Sequence, residues 1–79
     1  MASMPTLARL SSCIVTMYPA DHLPPHFHVR SKDGREALVA LGTLAVLSNK
    51  LAAREISVAL AWAGANQALL AAKWKELNP

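Results

Sequence analysis

The residues of this sequence that are suited to chemistry lie in one short block. All three histidines of the chain fall within Asp21-His22-Leu23-Pro24-Pro25-His26-Phe27-His28. On a predicted strand, His26 and His28 present their side chains on one face and Phe27 on the other, because strand side chains alternate. Imidazole is the side chain whose unperturbed pKa lies near neutral pH, which suits a general acid or base. We therefore take His22, His26 and His28 as candidate catalytic residues.

The same block allows two other uses. Two imidazoles at this spacing can share a metal ion, with His22 or Asp21 reaching in from the loop as a third ligand. The spacing matches no specific zinc motif, however, so the sequence predicts neither a bound metal nor another cofactor. In the third alternative the histidines are structural, and His22 and His26 hold the proline-rich loop by hydrogen bonds. The sequence leaves all three alternatives open.

Two cations follow the histidines along the same predicted strand. If Asp33-Gly34 forms a two-residue hairpin turn, Arg30 and Lys32 share the face of His26 and His28. Guanidinium and ammonium groups are suited to phosphate, so Asp21, Arg30 and Lys32 are candidate binding residues. A register slip of one residue would reverse this placement.

The elements that position these residues follow from the hydrophobic pattern. The first half of the chain alternates with the period of strands, and the second half with the period of helices, which predicts an α+β fold. We expect an antiparallel sheet of three or four strands with two C-terminal helices packed on one face. The predicted strands are Leu7–Leu10, Cys13–Tyr18, His26–Lys32 and Arg35–Leu41, and the predicted helices are 52–63 and 67–77. The predicted core consists of Phe27, Val29, Leu38, Ile56, Leu60, Trp62, Leu70 and Trp74.

Composition limits the class of protein. A chain of 79 residues, 53% hydrophobic, is long enough for a single domain, which we place at residues 4–79 after a leader at 1–3. Cys13 is the single cysteine, which excludes an internal disulfide and predicts an inert core thiol. No apolar run approaches the roughly 20 residues that span a bilayer, and we expect a cytoplasmic protein without a membrane partner. A core this small would gain stability from a partner or a homodimer.

The sequence resembles the bacterial domain-of-unknown-function family 4160 over nearly its whole length. The residues that carry the resemblance are Met4-Pro5-Thr6, Met17-Tyr18, Asp21-His22, Pro24-Pro25-His26-Phe27-His28-Val29, Glu36-Ala37, Trp62-Ala63, Leu69-Leu70 and Trp74. The resemblance implies a compact α+β domain. It also implies a neighbouring gene that encodes a small protein of domain-of-unknown-function family 2442, and such pairs look like toxin–antitoxin modules.

The leading functional expectation combines the resemblance with the histidine block. The protein would be the toxin of such a pair and the family-2442 protein its antitoxin. It would act on RNA as a metal-independent, ribonuclease-like enzyme, in which one histidine takes a proton from a ribose 2′-hydroxyl and a second protonates the leaving oxygen. The mild net charge of +3 suits RNA but equally suits ordinary solubility. The alternatives are a non-catalytic protein-binding module and a histidine-based metal-binding domain.

Overall fold

Five antiparallel strands form a single meandering sheet in a computed structural model that describes residues 6–79. The strands are β1 (Thr6–Arg9), β2 (Cys13–Thr16), β3 (His26–Ser31), β4 (Glu36–Ala40) and β5 (Val46–Asn49), paired in chain order. Consecutive strands pair because each connection is a tight turn, except for the long loop between β2 and β3. Strand β3 is central, and its Phe27 and Val29 are fully buried, as their alternation with the histidines predicts.

Two helices follow the sheet and supply the rest of the core. They are α1 (Ala53–Ala65) and α2 (Gln67–Leu77). Ile56, Ala59 and Ala63 form the buried stripe of α1, with the spacing that places residues on one helical face. Helix α1 contacts β2 and β3. One core cluster contains Cys13, Val15, Met17, Phe27, Val29, Ala37, Val39, Leu51, Ile56, Ala59, Ala63 and Leu70, so both helices pack into the same core.

The boundary between the helices lies at Asn66, the last residue of the predicted gap between helices 52–63 and 67–77. Asn66 occupies the N-cap position of α2, but its side chain makes no capping bond there. Instead, Asn66 Nδ2 donates a hydrogen bond to the Trp62 carbonyl at 2.8 Å, so it satisfies the C-terminal end of α1. Helix α1 thus continues through Gly64 despite its low helix propensity, with Ala63 buried beside it.

The α+β class is confirmed, but the predicted number of three or four strands is wrong. The additional strand is β5, whose four residues are all exposed. An edge strand without buried positions has no hydrophobic alternation, and therefore the pattern did not reveal it. The predicted leader, Met1–Ser3, and the Met4-Pro5 pair of the resemblance lie outside the described residues.

The turn between β3 and β4 differs from the two-residue turn that we expected. Ser31 N–H donates to the Arg35 carbonyl at 2.8 Å, and Gly34 N–H donates to the Ser31 carbonyl at 3.1 Å. The loop therefore contains three residues and ends at Gly34, whose φ of 91° is the left-handed conformation that this turn requires. Lys32 consequently lies in the turn, and Arg30 is the last strand residue on the face of His28.

Strand β4 shows why one predicted core residue is misplaced. Leu38 pairs with His28 across the sheet, so it lies on the histidine face. Its neighbours Ala37 and Val39 are fully buried in the core instead. Among the described residues, no helix is long and apolar enough to cross a membrane.

Candidate functional site

The loop between β2 and β3 brings Asp21 to the histidines of β3. The last turn of α2 fixes this loop, because Asp21 N–H donates to Asn78 Oδ1 at 2.9 Å and Ala20 N–H donates to the Leu77 carbonyl at 3.4 Å. The start of β3 places His26 and His28 on one side, two residues apart. Residues that are distant in sequence thus hold one carboxylate beside two imidazoles.

The Asp21 carboxylate is the centre of the cluster. Its Oδ2 lies 3.0 Å from His26 Nε2 and 3.2 Å from His28 Nε2. Its other oxygen, Oδ1, lies 3.0 Å from His22 Nδ1. The imidazole rings of His22 and His28 both lie 5.1 Å, centroid to centroid, from that of His26. The structure therefore brings together all three predicted histidines and the predicted aspartate.

His26 is the buried member of the cluster, with a side chain only 1% exposed. Its Nδ1 donates a hydrogen bond to the Pro24 carbonyl at 2.8 Å. In a neutral ring this bond leaves Nε2 as an unprotonated lone pair. Among the described residues, Nε2 has no hydrogen-bond partner, although Asp21 Oδ2 is near it. His26 thus presents a buried nitrogen to the centre of the cluster without a protein donor or acceptor aligned to it.

His28 is more accessible and is held from two sides. Its Nε2 bonds to Asp21 Oδ2, and its ring meets the ring of Tyr18 edge to face, with centroids 4.5 Å apart. Its Nδ1 lies 3.7 Å from Glu36 Oε1, too far for a direct hydrogen bond. A metal-binding imidazole usually directs its other nitrogen to a carboxylate or carbonyl, and the Glu36 carboxylate lies on that side of the ring without forming the bond.

The environment of Asp21 keeps its carboxyl group ionised. Burial raises its pKa, but the hydrogen bond from His28, the backbone bond from His22 and the charges of His26 and His22 together outweigh that effect. The pKa of Asp21 is therefore lowered from its ordinary value. An ionised carboxylate is the form that can accept a proton from imidazole or bind a cation.

Three ligand atoms of the cluster are close enough to hold one ion. Asp21, His26 and His28 each offer one such atom, and these atoms lie within 4.8 Å of one another. Ligands placed about 2.0–2.2 Å from a Zn²⁺ ion are themselves roughly 3–3.5 Å apart, so the most distant pair of ligand atoms would have to approach by about 1.5 Å. His22 is not part of this group, since it contacts the opposite carboxylate oxygen and its side chain is 76% exposed.

The two predicted phosphate-binding cations lie outside the ligand group, beyond His28 toward the C-terminal end of β3. Arg30 and Lys32 line a cavity of about 540 Å³ together with Arg9, which the sequence analysis did not single out. The cross-strand pairing of Arg9 with Ile14, and of Ile14 with Arg30, places the two arginines in one row. Only this strand register, which sequence does not specify directly, could have identified Arg9.

Cys13 lies in the core rather than in a reactive environment. Its side chain is buried, and burial raises the pKa of its thiol, an effect that its neighbour Ser12 partly offsets and the charge of Glu55 reinforces. A raised thiol pKa disfavours the nucleophilic thiolate.

Comparison with known families supplies the classification. The family described as "Domain of unknown function (DUF4160)" matches residues 13–75. The chain belongs to this family. The match contains the whole Asp21–His28 block and both helices up to Lys75, so it confirms the resemblance recognised from the sequence. No curated protein and no solved structure matches the chain.

Proposed function

We propose that this DUF4160 protein binds a divalent transition-metal ion, of the Zn²⁺ class, between Asp21, His26 and His28. The observation that carries the proposal is the buried Nε2 of His26, which has no hydrogen-bond partner among the described residues and lies 3.0 Å from Asp21 Oδ2. The Pro24 carbonyl fixes the opposite nitrogen of the ring, as the second layer of a metal site does. Imidazole nitrogen and carboxylate oxygen are ligands that Zn²⁺ accepts.

Burial favours this ligand role over the acid–base role that the sequence suggests for His26. A catalytic acid or base must reach the substrate, whereas the side chain of His26 is 1% exposed and its Nδ1 is committed to Pro24. His22, which is outside the ligand group and has a side chain 76% exposed, remains accessible for proton transfer beside the ion. The catalytic assignment of the three histidines therefore stays a prediction, with His26 as the ligand that holds the site together.

Three protein ligands leave coordination positions open, which is the arrangement of catalytic rather than structural zinc sites. An ion with such positions lowers the pKa of a bound water and supplies a nucleophile near neutral pH. We therefore propose hydrolytic chemistry at this centre. The toxin role implied by the family resemblance is the biological setting that we propose for it.

The test is zinc titration of the full chain by isothermal calorimetry after dialysis against EDTA and then metal-free buffer. We expect one ion per chain in the wild type. His26→Asn is the sharpest variant, because the asparagine amide nitrogen can replace Nδ1 in the bond to Pro24 but nothing replaces Nε2. It should stay folded and lose zinc, and so should Asp21→Asn and His28→Ala.

His22→Ala is the matched control, because it removes an imidazole of the same cluster that is not in the ligand group. It should retain zinc within a few-fold of wild-type affinity. A wild type that binds neither Zn²⁺ nor Co²⁺ would overturn the proposal. The proposal would also fail if His26→Asn retained zinc and His22→Ala lost it, because the ion would then bind at the surface.

A protein partner is a second candidate function, supported by the exposed edge of the sheet. Strand β5 lies at this edge, and its Val46 and Leu47 are 41% and 48% exposed. Exposed edge strands pair with partner chains through their free backbone groups. We propose that the family-2442 protein, the expected antitoxin, pairs with β5. Leu47→Lys should abolish co-purification of the two proteins. Leu69→Lys is a matched change at an exposed leucine of α2 and should leave co-purification intact. The opposite result would contradict the placement of the partner at β5.

A further inference from the structure

We propose that the cavity lined by Arg9, Arg30 and Lys32 binds the phosphodiester backbone of single-stranded RNA. The cavity measures about 540 Å³, within the range of small-ligand sites. The proposal deepens the proposed function, because RNA would be the substrate of the proposed metal centre. Its identification as a substrate therefore rests on that centre. The binding itself requires no metal, so the two can fail separately.

The charges around the cavity carry the first step. Each of the five acidic residues has a basic neighbour elsewhere: Asp21 contacts the histidines, Asp33 and Glu55 contact Arg35, Glu36 leans toward His28, and Glu76 contacts Lys73. Within residues 6–79, no carboxylate lies within 4 Å of the charged groups of the three cavity cations. A cluster of three positive charges without a close ion pair creates a local field that attracts an anion.

Glu36 is the acidic residue that could have neutralised the cavity. It pairs directly with Arg30 across β3 and β4. Its carboxylate nevertheless lies 3.7 Å from His28 Nδ1 and forms no ion pair with Arg30. Arg30 thus remains available, and an arginine guanidinium matches the paired oxygens of a phosphate.

The position of the cavity connects it to the metal centre. Arg30 and His28 are alternate residues of β3, so they share a face and their Cα atoms are about 6.6 Å apart. Successive phosphates of an extended single strand are one nucleotide apart, and that separation is comparable to the distance between the two Cα atoms. A backbone held at Arg30 can therefore place its next phosphate beside His28. This continuity favours a polymer over a lone phosphate ion.

The lining also indicates how such a strand would be recognised. It contains Leu10, Ser11, Cys13, Ile14 and Ser31 besides the cations, and it includes no aromatic side chain. Base recognition in single-stranded RNA depends largely on stacking against aromatic rings. We therefore expect the site to recognise the charge of the phosphate backbone without base-sequence specificity.

The experiment measures fluorescence anisotropy of a labelled 12-nucleotide RNA with the full chain in EDTA. Three phosphate contacts predict a slope of about −2 for log K against log salt, since each contact contributes roughly −0.7 on a single strand. Affinity should then fall about 20-fold between 50 and 200 mM salt. Arg9→Gln, Arg30→Gln and Lys32→Gln should each weaken binding and reduce the slope by about 0.7.

Lys75→Gln is the matched control, because Lys75 is an exposed cation of α2 outside the cavity lining. It removes the same charge and should leave the salt slope unchanged. Equal losses in the control and the cavity variants would overturn the proposal, since binding would then follow net charge alone. Circular dichroism establishes that each variant is folded.

Two competitors identify the source of the ligand. Unlabelled RNA of random sequence should displace the probe, whereas inorganic phosphate at the same phosphate concentration should not. Equal displacement by phosphate would reduce the site to a small-anion site and overturn the RNA assignment. Equal displacement by poly-glutamate would identify an acidic protein segment as the ligand instead. Zinc titration of the cavity variants should match the wild type, so a missing metal centre and a missing RNA site give different patterns.

Discussion

His26 should be needed for stability even when no metal is present. The substitution His26→Ala removes a side chain that is 1% exposed, together with its hydrogen bond to the Pro24 carbonyl. It also removes the ring that packs beside Trp74, with centroids 5.7 Å apart. The hydrogen bond is worth about 1 kcal/mol. The void left by the missing ring lowers the free energy of unfolding by less than the roughly 3–5 kcal/mol of a buried Phe→Ala change, because imidazole is smaller and more polar.

We therefore expect the free energy of unfolding to fall by about 2–4 kcal/mol. In a domain of this size, each kcal/mol lowers Tm by roughly 4–8 °C, which gives a decrease of at least about 8 °C. The assay is thermal unfolding by circular dichroism in EDTA. His22→Ala is the control, since an exposed side chain should change stability by no more than about 0.5 kcal/mol. A Tm for His26→Ala within about 2 °C of the wild type would refute the burial argument.

The other predictions concern charge, reactivity and the cell. The pKa of Asp33 is lowered from 3.8 to about 2 by hydrogen bonds from Arg35 and Ser31. The ionised Asp33 carboxylate therefore stabilises the fold above pH 4, and this stabilisation is lost as the pH falls toward 2. The difference in Tm between the wild type and Asp33→Asn should accordingly shrink over that interval, and a constant difference would contradict the assignment. Burial and a raised thiol pKa predict that Cys13 reacts slowly with iodoacetamide at pH 8 and rapidly in denaturant; fast alkylation of the folded protein would argue against this environment. Induced expression of the chain should slow bacterial growth, and co-expression of the neighbouring family-2442 protein should restore it. Normal growth at verified expression would leave the toxin role without support.

The sequence predicted those parts of the fold that local pattern controls. Phe27 and Val29 alternate with His26 and His28, and this period alone placed β3 and its buried face correctly. The helical stripe through Ile56, Ala59 and Ala63 is similarly local. By contrast, β5 has no buried residue, so its sequence carries no signal that differs from a loop. Its existence depends on backbone pairing with β4, which residue types do not encode.

The cluster of Asp21 with the three histidines follows from the sequence in its members but not in its arrangement. Strand alternation places His26 on the face away from the core, which predicts an exposed side chain. Instead the structure buries it, because the loop before β3 and Trp74 of α2 pack beside it. Asp21 depends likewise on Asn78, which is 57 residues away in the chain. Contacts of this length are set by how the helices dock, and a single sequence does not show that docking.

The arrangement of lone pairs around Asp21 favours the metal-binding alternative among the three that the sequence left open. In a neutral His26 ring the proton lies on Nδ1, toward Pro24, so the lone pair of Nε2 faces the carboxylate at 3.0 Å. Two lone pairs at this distance repel each other unless a positive charge lies near both. A second proton on the ring would supply that charge as an ion pair with Asp21, although the contact lacks the alignment of a hydrogen bond. A divalent cation accepts both lone pairs at once and needs no such alignment between them. It also draws in His28, whose Nε2 approaches the same oxygen. The proposed metal centre would therefore account for the convergence of all three groups on one point, whereas a purely structural role would require only that each be satisfied separately.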